Sequence, residues 1–204
     1  TRSEVIDKEV AAAMYRSGCR NMTYAPESGS ATTLNRIKKK ITPDAVVKSI
    51  RECVGEGVNC KVNLIFGLPG ETIKEVIETH RFIARIALAG AHDLSIWGFS
   101  PYPGSELFND MVTKGDLKIN EKFYDSLRTY SDASNTTSYC ENFSDFQLKC
   151  LRMSGRALFY MISWLFRPVR PFRIIYNAVI GRHESRMDMG IANAYRRLWF
   201  YQKS

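Results

Sequence analysis

The chain has 204 residues, 45% of them hydrophobic, which is enough for one domain with a real core. No apolar run approaches the ~20 residues needed to span a bilayer, and no signal-peptide pattern opens the sequence. The net charge of +8 is unevenly placed: residues 1–143 hold 18 Lys+Arg against 18 Asp+Glu, and residues 144–204 hold 11 against 3. A neutral body with a basic tail predicts that the tail meets an anionic partner.

In chain order, Ser3 to Ser17 reads as a helix stopped by Gly18, and a short strand follows around Asn21 to Ala25. Thr42-Pro43 supplies an N-cap and a first-turn proline for a helix whose apolar side is Val46, Val47, Ile50 and Val54. Gly55 and Gly57 end it. Lys61 to Phe66 is an almost continuous apolar strand of the kind buried on both faces in parallel sheets. Thr72-x-x-Glu75 is a capping box for the next helix, which places Ile73, Val76, Ile77, Ile83, Ala84 and Ala87 on its stripe before Gly90. Leu94 to Phe99 is the third strand. The alternation with short connections predicts right-handed βαβ units and a parallel sheet. Three such strands do not close a barrel, so further strands are expected from outside this sequence.

Residues 101–143 read as a loop-rich connection with short helices. Ser144 caps a long helix running to about Phe166, and Pro171–Ile180 and Ser185–Phe200 are expected helices beyond it. The five cysteines have no metal or disulfide spacing and read as free thiols in a reducing compartment, hence a cytoplasmic protein. His80 reads as a core or rim residue. Asn63, a polar residue within an apolar strand, faces either a substrate or a structural partner.

Two loops carry the candidate chemistry, because both follow a parallel strand, the side where such sheets build their sites. They are Pro26-Glu27-Ser28-Gly29-Ser30 and Gly67-Leu68-Pro69-Gly70-Glu71-Thr72. Each joins small residues that let a ligand approach the backbone with groups able to bond a hydroxyl or a carboxylate.

Four segments in order, Glu27-Ser28-Gly29-Ser30, Lys38-Lys39-Lys40-Ile41-Thr42, Phe66 to Thr72 and Pro101-Tyr102-Pro103-Gly104-Ser105, give the chain a likeness to a known family. Over roughly residues 1–110 it resembles the second half of a radical S-adenosylmethionine (radical SAM) barrel. It is similar above all to the cobalamin-dependent branch that contains the anaerobic magnesium-protoporphyrin ester cyclases. The resemblance implies an α/β fold, the last three βα units of a partial parallel TIM-like barrel over residues 1–110, a connection over 111–143, and a helical extension over 144–204. It implies S-adenosylmethionine as cofactor, a four-iron four-sulfur cluster, and cobalamin in that branch.

The resemblance places Glu27 and Ser28 at the ribose or methionine end of S-adenosylmethionine, with Gly29 and Ser30 beside them, and Lys39 near its carboxylate. It places the Gly67, Pro69 and Gly70 backbone and the Tyr102-Pro103 loop near the adenine. Glu71 reads instead as a helix N-terminus stabiliser. The family's CxxxCxxC cluster motif does not occur in the sequence. The ligands are therefore expected upstream, in a missing N-terminal half, and this chain is expected to be inactive alone. The expected activity is radical methylation or cyclisation of an apolar, lipid-like or tetrapyrrole-like substrate. The alternatives are a non-catalytic barrel remnant that docks through its tail, and an RNA-modifying methylthiotransferase-like enzyme, although that group usually has glutamine at the position of Glu27.

The tail brackets the apolar segment Ala157–Phe166 with Arg156, Arg167, Arg170 and Arg173. Arginine stems lie on apolar surface while their heads stay hydrated, which suits a helix lying on an anionic membrane at the inner face. Packing of the same segment on the barrel is the open alternative. Nucleic acid is the weaker partner, since no RNA-binding signature accompanies the charge.

Overall fold

The structure is a computed structural model and describes residues 6–129, 136–181 and 193. Its centre is a three-stranded parallel sheet in the order β1 (Asn21–Glu27), β2 (Asn59–Phe66), β3 (Asp93–Gly98). Side chains alternate along β2, so Cys60, Val62, Leu64 and Phe66 are buried on one face. Asn59, Lys61, Asn63 and Ile65 occupy the other and are only half-buried. The apolar run had predicted burial on both faces. The structure closes one face with helices and leaves the other, where Asn21, Thr23 and Ala25 of β1 are exposed, largely open.

The covering helices start and stop where local chemistry dictates. Helix α1 is Lys8–Arg16, α2 is Ala31–Arg36, α3 is Pro43–Gly55 and α4 is Ile73–Ala89. Thr42 accepts the Ala45 N–H with Pro43 at the first turn, and the Thr72–Glu75 capping box makes both of its reciprocal bonds. Gly90 ends α4 in the left-handed conformation at φ 103°. The apolar stripe of α4 is rotated from its expected position. Ile73 and Ile77 are exposed, whereas Val76, Thr79, Phe82, Ile83 and Ile86 face the sheet. Those positions follow i, i+3, i+6, i+7 and i+10, the stripe of a helix packed on one side. Helix α2 arises within what the sequence shows only as a loop.

Beyond the sheet come α5 (Glu106–Lys114), α6 (Glu121–Thr129), α7 (Asp145–Phe166) and α8 (Val169–Ile180). Ser144 caps α7 as expected, and Gln147 completes a second capping box that the sequence reading did not name. Leu68, Phe99, Met111, Leu117 and Phe123 gather α5, α6 and the strand-end loops into a second, smaller core. Helix α8 starts two residues before Pro171. The expected helix Ser185–Phe200 and the first residues of the helix expected from Ser3 lie outside the described residues.

Helix α7 lies along α4 and β3. Gly155 permits this approach: a β-carbon there would stand 2.7 Å from Ile96 Cδ1. Arg152, 1% exposed, donates to the Ile96 carbonyl at 3.3 Å and to Thr136 at 2.6 Å, and Arg156 donates to the same carbonyl at 2.7 Å. Tyr160 donates to Asp93 at 2.7 Å. These groups cover the outer edge of β3, which would otherwise present unpaired backbone to solvent.

Candidate active site

Proline at position 26 shapes the site. It brings no N–H to the ladder, and the β1–β2 register shifts between Tyr24 and Glu27. Glu27 then leaves the strand with φ at 71°, a left-handed conformation that turns its side chain from the sheet edge. The carboxylate receives the Lys39 ammonium at 2.9 Å, with the two side chains 22% and 35% exposed. Lys38, its neighbour in the basic run, pairs instead with exposed Glu106. The three consecutive lysines are therefore not one solvated face.

Glu27 stands at a concave cavity of 520 Å³ at the C-terminal ends of the strands. Asn63 and Ile65 of β2 and Trp97 of β3 line it from the open sheet face, and Phe99, Tyr102 and Leu107 close its far side. The register explains the grouping, since Asn63 pairs with Ser95 and Ile65 with Trp97 across the parallel ladder. The Asn63 Oδ1 atom is buried and finds no hydrogen-bond partner among the described residues. A buried acceptor left unpaired is costly, of order 1–3 kcal/mol, so a ligand N–H or O–H directed at Asn63 would relieve it.

The other sequence-predicted residues are not all at this cavity. Ser28 and Ser30 are fully buried behind it. Ser28 Oγ lies 3.0 Å from Thr79 Oγ1, the Gly29 N–H donates to the same oxygen, and Ser30 donates to Glu78. These bonds fasten the loop to α4. A β-carbon at Gly29 would stand 2.3 Å from Phe82 Cβ, so glycine there admits the close approach of α4.

Gly67 and Gly70 have positive φ, and a β-carbon at Gly67 would meet Leu148 of α7 at 2.7 Å. Pro69 is half-buried, its carbonyl accepting from Arg36 at 3.2 Å. Tyr102 borders the cavity at 50% exposure, while Pro103 beside it is exposed and does not line it. Trp97, Ile65, Phe99 and Leu107 were not singled out from the sequence. Strand alternation combined with register was the signal that could have found the first two.

Histidine 80 sits at the rim between helices, its ring nitrogens 2.9 Å from the Val76 carbonyl and 3.0 Å from Ser154 Oγ.

Glu71 differs from its expected role at a helix end. It is fully buried; one oxygen accepts the Gly67 N–H at 2.6 Å and the other has no partner among the described residues. Burial pushes its carboxyl up to about 7, opposed by the Gly67 and Leu68 N–H groups and raised further by Glu75. The group is thus more readily protonated folded than unfolded. Its contribution to stability is full below the unfolded value of 4.5 and is lost as pH rises through about 7. Chemical denaturation of wild type and Glu71→Gln should show this. The wild type should lose stability relative to the variant between those pH values, by an amount of order 1–3 kcal/mol. Parallel pH profiles would remove the assignment.

Residues 1–83 match the family model described as the radical SAM superfamily. The chain is 30% identical over 117 residues to an uncharacterised methyltransferase of Pyrococcus horikoshii, covering 57% of this chain and 25% of that protein. It is 28% identical over 126 residues to the cytidylyl-2-hydroxyethylphosphonate methyltransferase of Streptomyces wedmorensis, covering 58% and 23%. The chain thus spans about a quarter of the length of these relatives. Among solved structures, the N-terminally deleted Elp3 of Methanocaldococcus infernus aligns with TM-score 0.48 and 16% identity over 70% of this chain and 33% of its own.

The parallel sheet with its site at the strand ends belongs to the α/β class. Over residues 1–83 the chain is similar to the radical SAM superfamily. Among the described residues no group of His, Cys, Asp or Glu could hold a metal ion.

Proposed function

We propose that the cavity at the ends of β1, β2 and β3 binds S-adenosylmethionine through Glu27 and Lys39 and presents it to an apolar substrate for radical methylation. The observation that carries this reading is the Glu27–Lys39 ion pair at the cavity. A zwitterionic amino-acid end is complementary to such a pair. Its carboxylate replaces Glu27 at Lys39, its ammonium replaces Lys39 at Glu27, and no charge is left unpaired. A volume of 520 Å³ is in the range of small-molecule sites.

S-Adenosylmethionine supplies the reactive group of the reaction. The residues here bind it, orient it and shape the space beside it. Ile65, Trp97, Phe99 and Leu107 make that space apolar, and Asn63 offers it one acceptor. An apolar or tetrapyrrole-like substrate suits these walls. Methylation is preferred over cyclisation because both relatives named above are methyltransferases. Cobalamin, as carrier of the transferred methyl group, belongs to the same reading and rests on the likeness to the cobalamin-dependent branch.

The test is anaerobic reconstitution of the full-length protein with iron and sulfide, followed by reduction in the presence of S-adenosylmethionine. Formation of 5′-deoxyadenosine, dependent on the reductant, is the expected result. A reduced cluster with bound cofactor and no deoxyadenosine would leave the non-catalytic remnant as the better description.

A further inference from the structure

Asn63 breaks the local rule of its strand. It stands between Val62 and Leu64 in β2, and strands disfavour asparagine because its amide competes for backbone hydrogen bonds and packs poorly on a pleated surface. Such a residue stabilises a strand only when its polar atoms find partners. The Asn63 Oδ1 atom is buried and finds none among the described residues. Neither Ser95, its neighbour across the parallel ladder, nor Lys61, two residues earlier on the same face, donates to it. A side chain that breaks a local rule with no structural gain marks a functional position.

The surroundings define what would pair with it. Asn63 lines the cavity between Glu27 of β1 and Trp97 of β3, with Ile65, Phe99 and Leu107 as apolar walls. Glu27 is the one charged residue lining the cavity, and Lys39 already holds its carboxylate at 2.9 Å. A second ionic group placed against Trp97 and Ile65 would be buried without a counter-ion. What remains is a neutral acceptor beside apolar and aromatic walls. Asparagine's terminal torsion is broad, so a half-turn of the amide brings the oxygen to the cavity without moving the strand.

Resting on the reading of this cavity as the place where S-adenosylmethionine meets its substrate, we propose that Asn63 determines substrate specificity by accepting a hydrogen bond from the ring N–H of a neutral, otherwise apolar aromatic molecule. The register supplies the geometry. Ile65 pairs with Trp97 and Asn63 with Ser95, so Asn63 stands one pleat from the Ile65–Trp97 pair on the same face, on the order of 6–7 Å along the strand. A flat ring lying on Ile65 and Trp97 therefore carries an in-plane N–H on its edge toward Asn63. Aromatic walls favour a ring as the body of the ligand. A ring N–H is preferred to a hydroxyl because it donates without bringing an acceptor that would itself need a partner among these walls.

The experiment is equilibrium dialysis of the reconstituted full-length protein in the presence of S-adenosylmethionine. The probes are indole and indene, the same bicycle without the N–H. The wild type should bind indole roughly tenfold more tightly than indene, the increment of one hydrogen bond to a buried acceptor. In Asn63→Leu the two probes should bind equally, with indene at its wild-type affinity or better. The same dialysis should show S-adenosylmethionine affinity unchanged in that variant. Its melting temperature should equal or exceed that of the wild type, because leucine leaves no buried polar atom unpaired.

Equal binding of indole and indene by the wild type, or binding of neither, overturns the proposal. So does an indole preference that survives in Asn63→Leu, since the N–H would then be held elsewhere. A lowered melting temperature in Asn63→Leu overturns it by showing a structural amide, and a loss of S-adenosylmethionine affinity overturns it by assigning Asn63 to the cofactor. The cofactor reading fails in a different way. A wild type that prefers indole yet binds no S-adenosylmethionine would remove that reading and leave the donor preference of Asn63 in place.

Discussion

Glu27→Ala in the reconstituted full-length protein should weaken S-adenosylmethionine binding by roughly 30-fold and reduce deoxyadenosine formation at least as much, while the cluster absorbance stays at its wild-type level. The magnitude corresponds to the loss of charge-assisted hydrogen bonds worth about 2 kcal/mol. The fold should not suffer. The Glu27–Lys39 pair is partly exposed, and such pairs contribute ~0–1 kcal/mol. Glu27→Gln should lie between, since the amide oxygen still accepts hydrogen bonds but carries no charge. Glu27→Gly separates binding from backbone effects. Glycine tolerates the φ of 71°, so this variant should melt at or above wild type and still lose the cofactor. Wild-type deoxyadenosine formation by Glu27→Ala would remove the assignment of Glu27, and that of Lys39 with it.

Gly29→Ala should be the most damaging single-methyl change at the site. Its β-carbon would stand 2.3 Å from Phe82 Cβ and 2.8 Å from Phe82 Cγ. The first of these is bonded to the α4 backbone, so a rotamer change does not relieve the contact. Either α4 moves or the loop lifts away from Thr79. Overpacking of this kind costs at least about 3 kcal/mol, which for a chain of this size lowers the melting temperature by roughly 10 °C. If the loop lifts, Glu27 moves with it, and S-adenosylmethionine affinity falls although every cavity side chain is intact. Gly18→Ala is the control. Its φ of 96° disfavours alanine, yet a β-carbon there meets nothing described within 4 Å, so it should cost only about 1 kcal/mol. Thermal unfolding of the two variants, with cofactor binding measured by equilibrium dialysis, tests the contrast. Equal losses would show that backbone conformation rather than the Phe82 contact decides the position.

Local chemistry made much of the fold legible. The caps at Thr42, Thr72 and Ser144, the left-handed stops at Gly18, Gly57 and Gly90, and the three strand segments are set by neighbours within a few residues. They emerge in the structure where the sequence places them. The phase of α4 was less legible, because Ile73, Ile77 and Phe82 compete for one stripe and only the shape of the sheet chooses among them. The inner face of β2 was also misread. An apolar run says that a strand is in a core, but whether its second face is covered depends on what packs there.

The candidate site divides along the same line. The sequence by itself determined the parallel α/β arrangement and the loops at the strand ends, because these follow from periodicity, glycine and proline; Lys39 was marked out only by the family likeness, and its pairing with Glu27 by the structure. Only the tertiary structure decided which of those loop residues face the cavity. Glu27 does, as the Pro26 break in the ladder turns it there. Ser28, Gly29 and Ser30 spend their hydrogen bonds and free space on α4 instead. Asn63, Ile65 and Trp97 reach one surface through strand register, and Arg167 and Arg170 find carbonyls nearly 80 residues back in the chain. The physical reason is the range of the forces involved. Backbone conformation and capping act between neighbours in sequence, whereas burial and hydrogen-bond satisfaction act between neighbours in space, and those are known only once the chain has folded.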